Sequence, residues 1–246
     1  LIKVALVDRN PASRDVLAKA FMEEGCWTSQ MDSIVEARES LQKVRPDLIV
    51  FRLDDLDSWK ALTLCRDECS SLNGTSMILV AADESLSGGS AVFAADYLYK
   101  PMEGDCLMKA LHRFGDPIPD KPVLVLESDP LRLEAMRSLL ENEGWEVRTA
   151  LNSAQAMEHL QLELPGLVIM NLMLPGLESF QFASYLHRSP GLQDLQLLAL
   201  APSDLSEEEF ARFRSPSAEP PDGTTEDFLR SLGALARRAL NRRTAP

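Results

Sequence analysis

The chain has 246 residues, with 38 acidic against 25 basic side chains and a formal charge of −13. That length fits one large domain or two small ones, and 45% hydrophobic content is enough to bury a real core. The acidity argues against direct nucleic-acid binding, which needs a basic face. It is spread evenly: residues 1–118 hold 19 acids and 13 bases, and residues 119–246 hold 19 and 12. No apolar run approaches the roughly 20 residues of a membrane span. The start, Leu1-Ile2-Lys3-Val4, reads as a strand rather than a secretory signal, and its lack of Met suggests a trimmed start.

In chain order, residues 2–7 form a short apolar strand. Asn10 and Pro11 then supply an N-cap and an N1 proline for a helix that Gly25 ends. A weak strand at 27–31 and an amphipathic helix at 33–44 follow. Residues 47–52 are a nearly continuous apolar strand. Helix 57–70, strand 76–81, strand 96–99 and helix 103–113 complete the first half. The stretch Ser85-Leu86-Ser87-Gly88-Gly89-Ser90 is poor for a helix. The second half repeats the order: strand 122–127, helix 130–143, strand 145–149, helix 152–163, strand 166–171, helix 177–188, strand 195–200 and a last helix 224–241. Continuous apolar strands alternating with amphipathic helices indicate parallel sheets covered on both faces.

The two halves are one pattern written twice. Pro11 falls on Pro130 at an offset of 119 residues, and the same offset carries Gly25 to Gly144, Ala37 to Ala156, Pro46 to Pro165, Leu53 to Leu172 and Pro101 to Pro220. This predicts two consecutive domains, residues 1–115 and 122–246, joined by a proline-bearing linker at 116–121.

Each repeat resembles the response-regulator receiver domain. The resemblance rests on the acids after the first strand, on Pro46-Asp47-Leu48-Ile49-Val50 and Asp96-Tyr97-Leu98-Tyr99-Lys100-Pro101, and on residues 165–177 of the second repeat. It implies two (βα)5 doubly wound α/β domains with strand order 2-1-3-4-5 and any site at the carboxyl ends of the strands. It also implies phosphoryl transfer to an aspartate. That chemistry needs an acidic pair after strand one and an acceptor aspartate ending strand three, which together hold Mg²⁺. A hydroxyl ending strand four and a lysine ending strand five take the phosphoryl oxygens.

At those positions the first repeat has Asp8 and Arg9, Arg52, Ala81 and Lys100. The second has Glu127 and Ser128, Asn171, Leu200 and Glu219. Arg52 cannot accept phosphate and repels a metal, so an Asp8–Arg52 ion pair is expected in its place. Asn171 has the shape of aspartate without its nucleophile. Both repeats read as pseudo-receivers, with no catalytic residue, metal or cofactor. Helix four is short or irregular in both, and three prolines make residues 214–221 of the second repeat a poor fifth strand.

The remaining features are read more blandly. Cys65 and Cys69 could be half of a metal site, but nothing completes it, so reduced thiols are expected. Trp59 would mark a contact site if exposed. His112, His159 and His187 share no spacing. Arg237, Arg238, Arg242 and Arg243 either complete a helix C-terminus or connect to a downstream domain or an acidic partner.

The expected function is a cytoplasmic bacterial signalling adaptor that works without phosphorylation and without enzyme activity. Its partners would be other signalling proteins or a second copy, with no direct contact to nucleic acid or membrane. Two alternatives stand beside it. One is a phosphoaccepting receiver that uses the displaced Asp54. The other is the regulatory fragment of a larger transcription factor or second-messenger enzyme.

Overall fold

The computed structural model describes residues 2–33, 41, 43–53, 55, 57–60, 75–81, 90–94, 96–100, 121–192, 195–202, 206–214 and 229. Two compact units are present. One comprises Leu1–Phe93 with Ala218–Pro246, and the other Ala94–Ser217.

The first unit holds β1 (Lys3–Val7), α1 (Pro11–Glu23), β2 (Trp27–Met31), β3 (Leu48–Arg52), β4 (Ser76–Ala81) and β5 (Ser90–Ala94). Its sheet runs β2-β1-β3-β4-β5. The central strand, Leu48–Arg52, is buried at all five positions because both faces of the sheet are covered. Val4, Leu6, Leu48, Val50, Ile78 and Val80 form one core face, closed by Leu17, Ala18 and Phe21 of α1.

The second unit holds β6 (Asp96–Lys100), β7 (Val123–Leu126), α2 (Pro130–Asn142), β8 (Val147–Ala150), α3 (Ser153–Leu162), β9 (Leu167–Asn171), a 3-10 turn (Pro175–Leu177), α4 (Glu178–Arg188), β10 (Gln196–Pro202) and α5 (Glu207–Arg214). Its sheet runs β6-β10-β9-β7-β8. All the paired strands whose register is defined are parallel.

The local devices of the repeat are the same in both units. Asn10 Oδ1 accepts from the N–H groups of Ala12 and Ser13, and Asp129 Oδ1 from those of Leu131 and Arg132. Each cap precedes a proline at the first helical turn. At the other end, the Gly25 and Cys26 N–H groups reach back to Met22 and Phe21, and those of Gly144 and Trp145 to Glu141 and Leu140. Gly25 at φ 79° and Gly144 at φ 88° take the left-handed conformation that this closing motif requires.

Three expectations are corrected. First, the division into 1–115 and 122–246 does not hold. Strand 96–100 belongs to the second sheet, where it pairs with β10 from Leu198↔Asp96 to Pro202↔Lys100. Leu229, from the far end of the chain, packs against the core of the first unit. Second, the strand beside β4 in the first sheet is Ser90–Ala94, where no strand was expected although Val92 and Phe93 favour one. Third, the single offset of 119 fails at strand four. Arg52 pairs with Val80 and Asn171 with Leu200. The Leu53 N–H donates to the Val80 carbonyl and the Leu172 N–H to the Leu200 carbonyl. The second repeat is therefore one residue longer between its third and fourth strands, and the counterpart of Ala81 is Ala201, not Leu200.

The predicted helices 103–113 and 224–241 lie outside the described residues, apart from Leu229. So do most of 33–44 and 57–70.

Candidate functional site

The carboxyl end of the first sheet is built on Asp8 and Arg52. Asp8 follows β1 and Arg52 closes β3. Their side chains are 1% and 4% exposed, and Arg52 Nη1 stands 3.5 Å from Asp8 Oδ2. The Asp8 carboxylate is otherwise spoken for. Its Oδ1 accepts from the Asn10 N–H at 2.8 Å, and its Oδ2 from the Ser13 hydroxyl. Arg14 donates to the Asp8 carbonyl at 2.7 Å and pairs with Asp32 at 3.2 Å. Arg9 turns outward to Asp55 at 2.7 Å, with both side chains about half exposed, so that pair adds little stability.

Asp55 also opens the helix that contains Asp57–Lys60. Its Oδ1 accepts from the Ser58 N–H at 2.7 Å, and the Ser58 hydroxyl donates to its carbonyl. Acid at that helix start is capping charge. Asp54 lies outside the described residues. Trp59 is fully buried and offers no contact surface.

The same place in the second sheet is neutralised differently. Glu127 follows β7 and Asn171 ends β9, and both are buried. Asn171 Nδ2 donates to Glu127 Oε1 at 3.0 Å, and the Asp129 N–H donates to the same oxygen at 3.1 Å. Asn171 Oδ1 accepts from the Met173 N–H at 3.0 Å. Ser128, beside Glu127, is exposed.

Both sites thus join the end of strand one to the end of strand three. A buried ion pair does so in one, and an amide–carboxylate hydrogen bond in the other. The structure brings together Asp8 with Arg52 and Glu127 with Asn171. It sends Arg9 and Ser128 away from these pairs.

Two positions are corrected. Leu200 is a core residue, packed with Leu198, Ile169 and Val125 rather than standing at the site. Lys100 belongs to the second sheet, opposite Pro202, and not to the site of Asp8 and Arg52. Glu219 lies outside the described residues. Ala81 ends β4 as expected.

Ser13 was missed. It lies on α1 one helical turn beyond Asp8, where a buried hydroxyl in an otherwise apolar face was the available signal. Among the described residues, no group of three or more His, Cys, Asp or Glu side chains could hold a metal ion. Of the cysteines, Cys26 is buried and reduced, and burial pushes its thiol pKa up. Among the described residues no helix is long and apolar enough to cross a membrane.

Residues 123–211 match the family model of the response regulator receiver domain. The chain contains a response-regulator receiver domain. An uncharacterized 14.6 kDa protein of Leptolyngbya boryana is 30% identical over 93 residues, covering 38% of this chain and 71% of that protein. The probable transcriptional regulatory protein TcrX of Mycobacterium tuberculosis is 30% identical over 131 residues, 53% of this chain and 52% of TcrX. This chain therefore spans about half the length of TcrX. Among solved structures, the N-terminal domain of a response regulator receiver protein from Methanoculleus marisnigri covers 51% of this chain and 97% of its own, at 21% identity and a TM-score of 0.32. The receiver match begins at β7, contains Glu127 and Asn171, and ends within α5, so it places the second site inside a signalling domain of the two-component type.

Proposed function

We propose that the chain is a two-component signalling protein whose two receiver-like units work without phosphorylation, as a protein–protein adaptor in the bacterial cytoplasm. The observation that carries this reading is the buried Asp8–Arg52 pair. A receiver that accepts phosphate needs clustered carboxylates free to take Mg²⁺. Here the carboxylate faces a guanidinium inside the protein. At an effective dielectric near 20, two unit charges at that separation attract by about 5 kcal/mol. A divalent cation arriving there would have to displace a matched counter-charge and would meet its repulsion.

Asn171 supports the same reading for the second unit. Its amide donates to Glu127 and occupies the oxygen a metal would want. An amide carries no nucleophilic oxygen for acyl-phosphate formation. What survives in both repeats is the apolar pattern that builds the sheets, which suits a module kept for its surface. Its partners would be other signalling proteins or a second copy of the chain.

The test is incubation of the full chain with acetyl phosphate and Mg²⁺, read by intact-mass spectrometry. The expected spectrum is unchanged. A phosphoryl adduct mapped to any aspartate, Asp54 included, overturns the proposal.

A further inference from the structure

We infer that the Glu127–Asn171 site is a composite of both repeats, taking its strand-five residue, Lys100, from the first. The reason begins in the sequence. β10 needs a partner on the side away from β9, because an open edge leaves a row of unsatisfied N–H and C=O groups. The second repeat's own candidate, Arg214-Ser215-Pro216-Ser217-Ala218-Glu219-Pro220-Pro221, carries three prolines. Each removes a ladder donor. Asp96-Tyr97-Leu98-Tyr99-Lys100 has no proline, and its two tyrosines favour a strand.

The backbone follows that preference. Leu198, Ala199, Leu200, Ala201 and Pro202 pair in parallel with residues 96 through 100. Ser90–Ala94 takes the corresponding edge of the first sheet, beside β4. The exchange extends to the chain end, since the first unit includes Ala218–Pro246 and Leu229 packs on its core.

The register then fixes where residue 100 stands. Lys100 is opposite Pro202, two positions beyond Leu200, which is opposite Asn171. Three residues thus reach the carboxyl end of one parallel sheet: Glu127 after β7, Asn171 closing β9 and Lys100 closing β6. Among the described residues, no lysine of the first repeat closes the edge strand Ser90–Ala94 of the sheet that holds Asp8 and Arg52. By register, the lysine position falls in the sheet of Glu127 and Asn171, and not in the sheet that already carries Arg52.

Disulfide mapping in the full chain tests the exchange. Tyr99→Cys with Ala201→Cys should give an intramolecular disulfide, since paired strands hold Cα atoms within bridging range. Tyr99→Cys with Ala81→Cys, the pair expected of two consecutive domains, should not. Peptide mapping of a 99–81 bridge overturns the inference. So does a 99–201 bridge found only in covalent dimers, which would mean that a second copy supplies the strand.

Lys100→Met in the full chain gives an independent readout in amide NMR spectra. The largest shifts are expected at Ala201, Leu172 and the Asn171 side-chain amide. Shifts centred on Leu53 and Arg52, or none in either sheet, overturn the assignment. The composite site and the adaptor role fail separately, because neither readout involves phosphoryl chemistry.

Discussion

Arg52 and Asp8 are buried together 44 residues apart in sequence, with Nη1 3.5 Å from Oδ2. Removing one partner would strand the other's charge inside the protein, which costs about 3–5 kcal/mol. Arg52→Ala is therefore expected to lower stability by that amount in urea titrations. Replacing both with apolar residues, Asp8→Leu with Arg52→Met, should be much milder, because no orphan charge remains. A double replacement as damaging as the single one would show that the pair's hydrogen bonds, rather than its charges, hold the site.

Mg²⁺ should leave the melting temperature of the natural chain unchanged. Arg52→Asp removes the cation and sets a second carboxylate beside Asp8, so the variant should become Mg²⁺-stabilised. The gain is roughly 1 kcal/mol when the ion stands at about five times its Kd. Calorimetric scans with and without the ion make the comparison.

Asn171→Asp replaces a donor to Glu127 with a second buried acid. Two carboxylates sharing a site cannot both ionise without repulsion, so the pKa of one rises. A raised folded-state pKa makes stability grow as pH falls toward it. The variant should be distinctly less stable than the natural chain at pH 7, with the gap narrowing toward pH 5. Urea midpoints at the two pH values would reveal it, and a gap that widens on acidification contradicts the shared-proton account.

Gly25→Ala and Gly144→Ala should each cost about 1–2 kcal/mol. Added Cβ atoms would meet nothing within 4 Å at either position, so the cost is conformational rather than steric. Matching losses in thermal melts are expected because both glycines close the same helix-ending motif.

Ser206 and Glu209 cap α5 reciprocally. The Ser206 N–H donates to Glu209 Oε2 at 3.0 Å, and the Glu209 N–H to Ser206 Oγ at 3.2 Å. Hydrogen bonds from the Ser206 backbone and then its hydroxyl lower the Glu209 pKa. A lowered pKa gives stabilisation that is present near neutrality and lost as pH falls through the folded-state value. Amide exchange across Glu207–Arg214 should therefore speed up, relative to its intrinsic rate, on acidification. Ser206→Ala removes the hydroxyl but keeps the backbone N–H that donates to Glu209, so it should reduce that pH dependence without abolishing it and weaken the helix by about 1 kcal/mol.

Much of the site was legible because its determinants are local. The acid after strand one, the cap at Asn10 or Asp129 and the proline after it lie within a few residues, and both repeats carry them. Arg52 and Asn171 could be read because strand three is flanked by landmarks, Pro46 and Leu53 against Pro165 and Leu172. Leu200 was misplaced because Leu195-Gln196-Leu197-Leu198-Ala199-Leu200-Ala201 holds no landmark, so one extra residue upstream passes unseen. A shift of one residue along a strand turns every side chain to the other face, and the hydrophobic core took Leu200.

By itself the sequence determined two successive α/β patterns with strand, turn and cap signals in order, and that Arg52 and Asn171 end their third strands. Those are matters of period, propensity and residue identity. The tertiary structure decided which sheet each late strand joins. Asp96–Lys100 reads as a strand from its own residues, but a strand's partner depends on which edge is open. The prolines after Arg214 leave β10 without a local candidate. The competition between Ser90–Ala94 and Asp96–Lys100 for two edges is settled only when both sheets exist, so Lys100 comes to stand in the sheet of Glu127 and Asn171 rather than in that of Asp8 and Arg52.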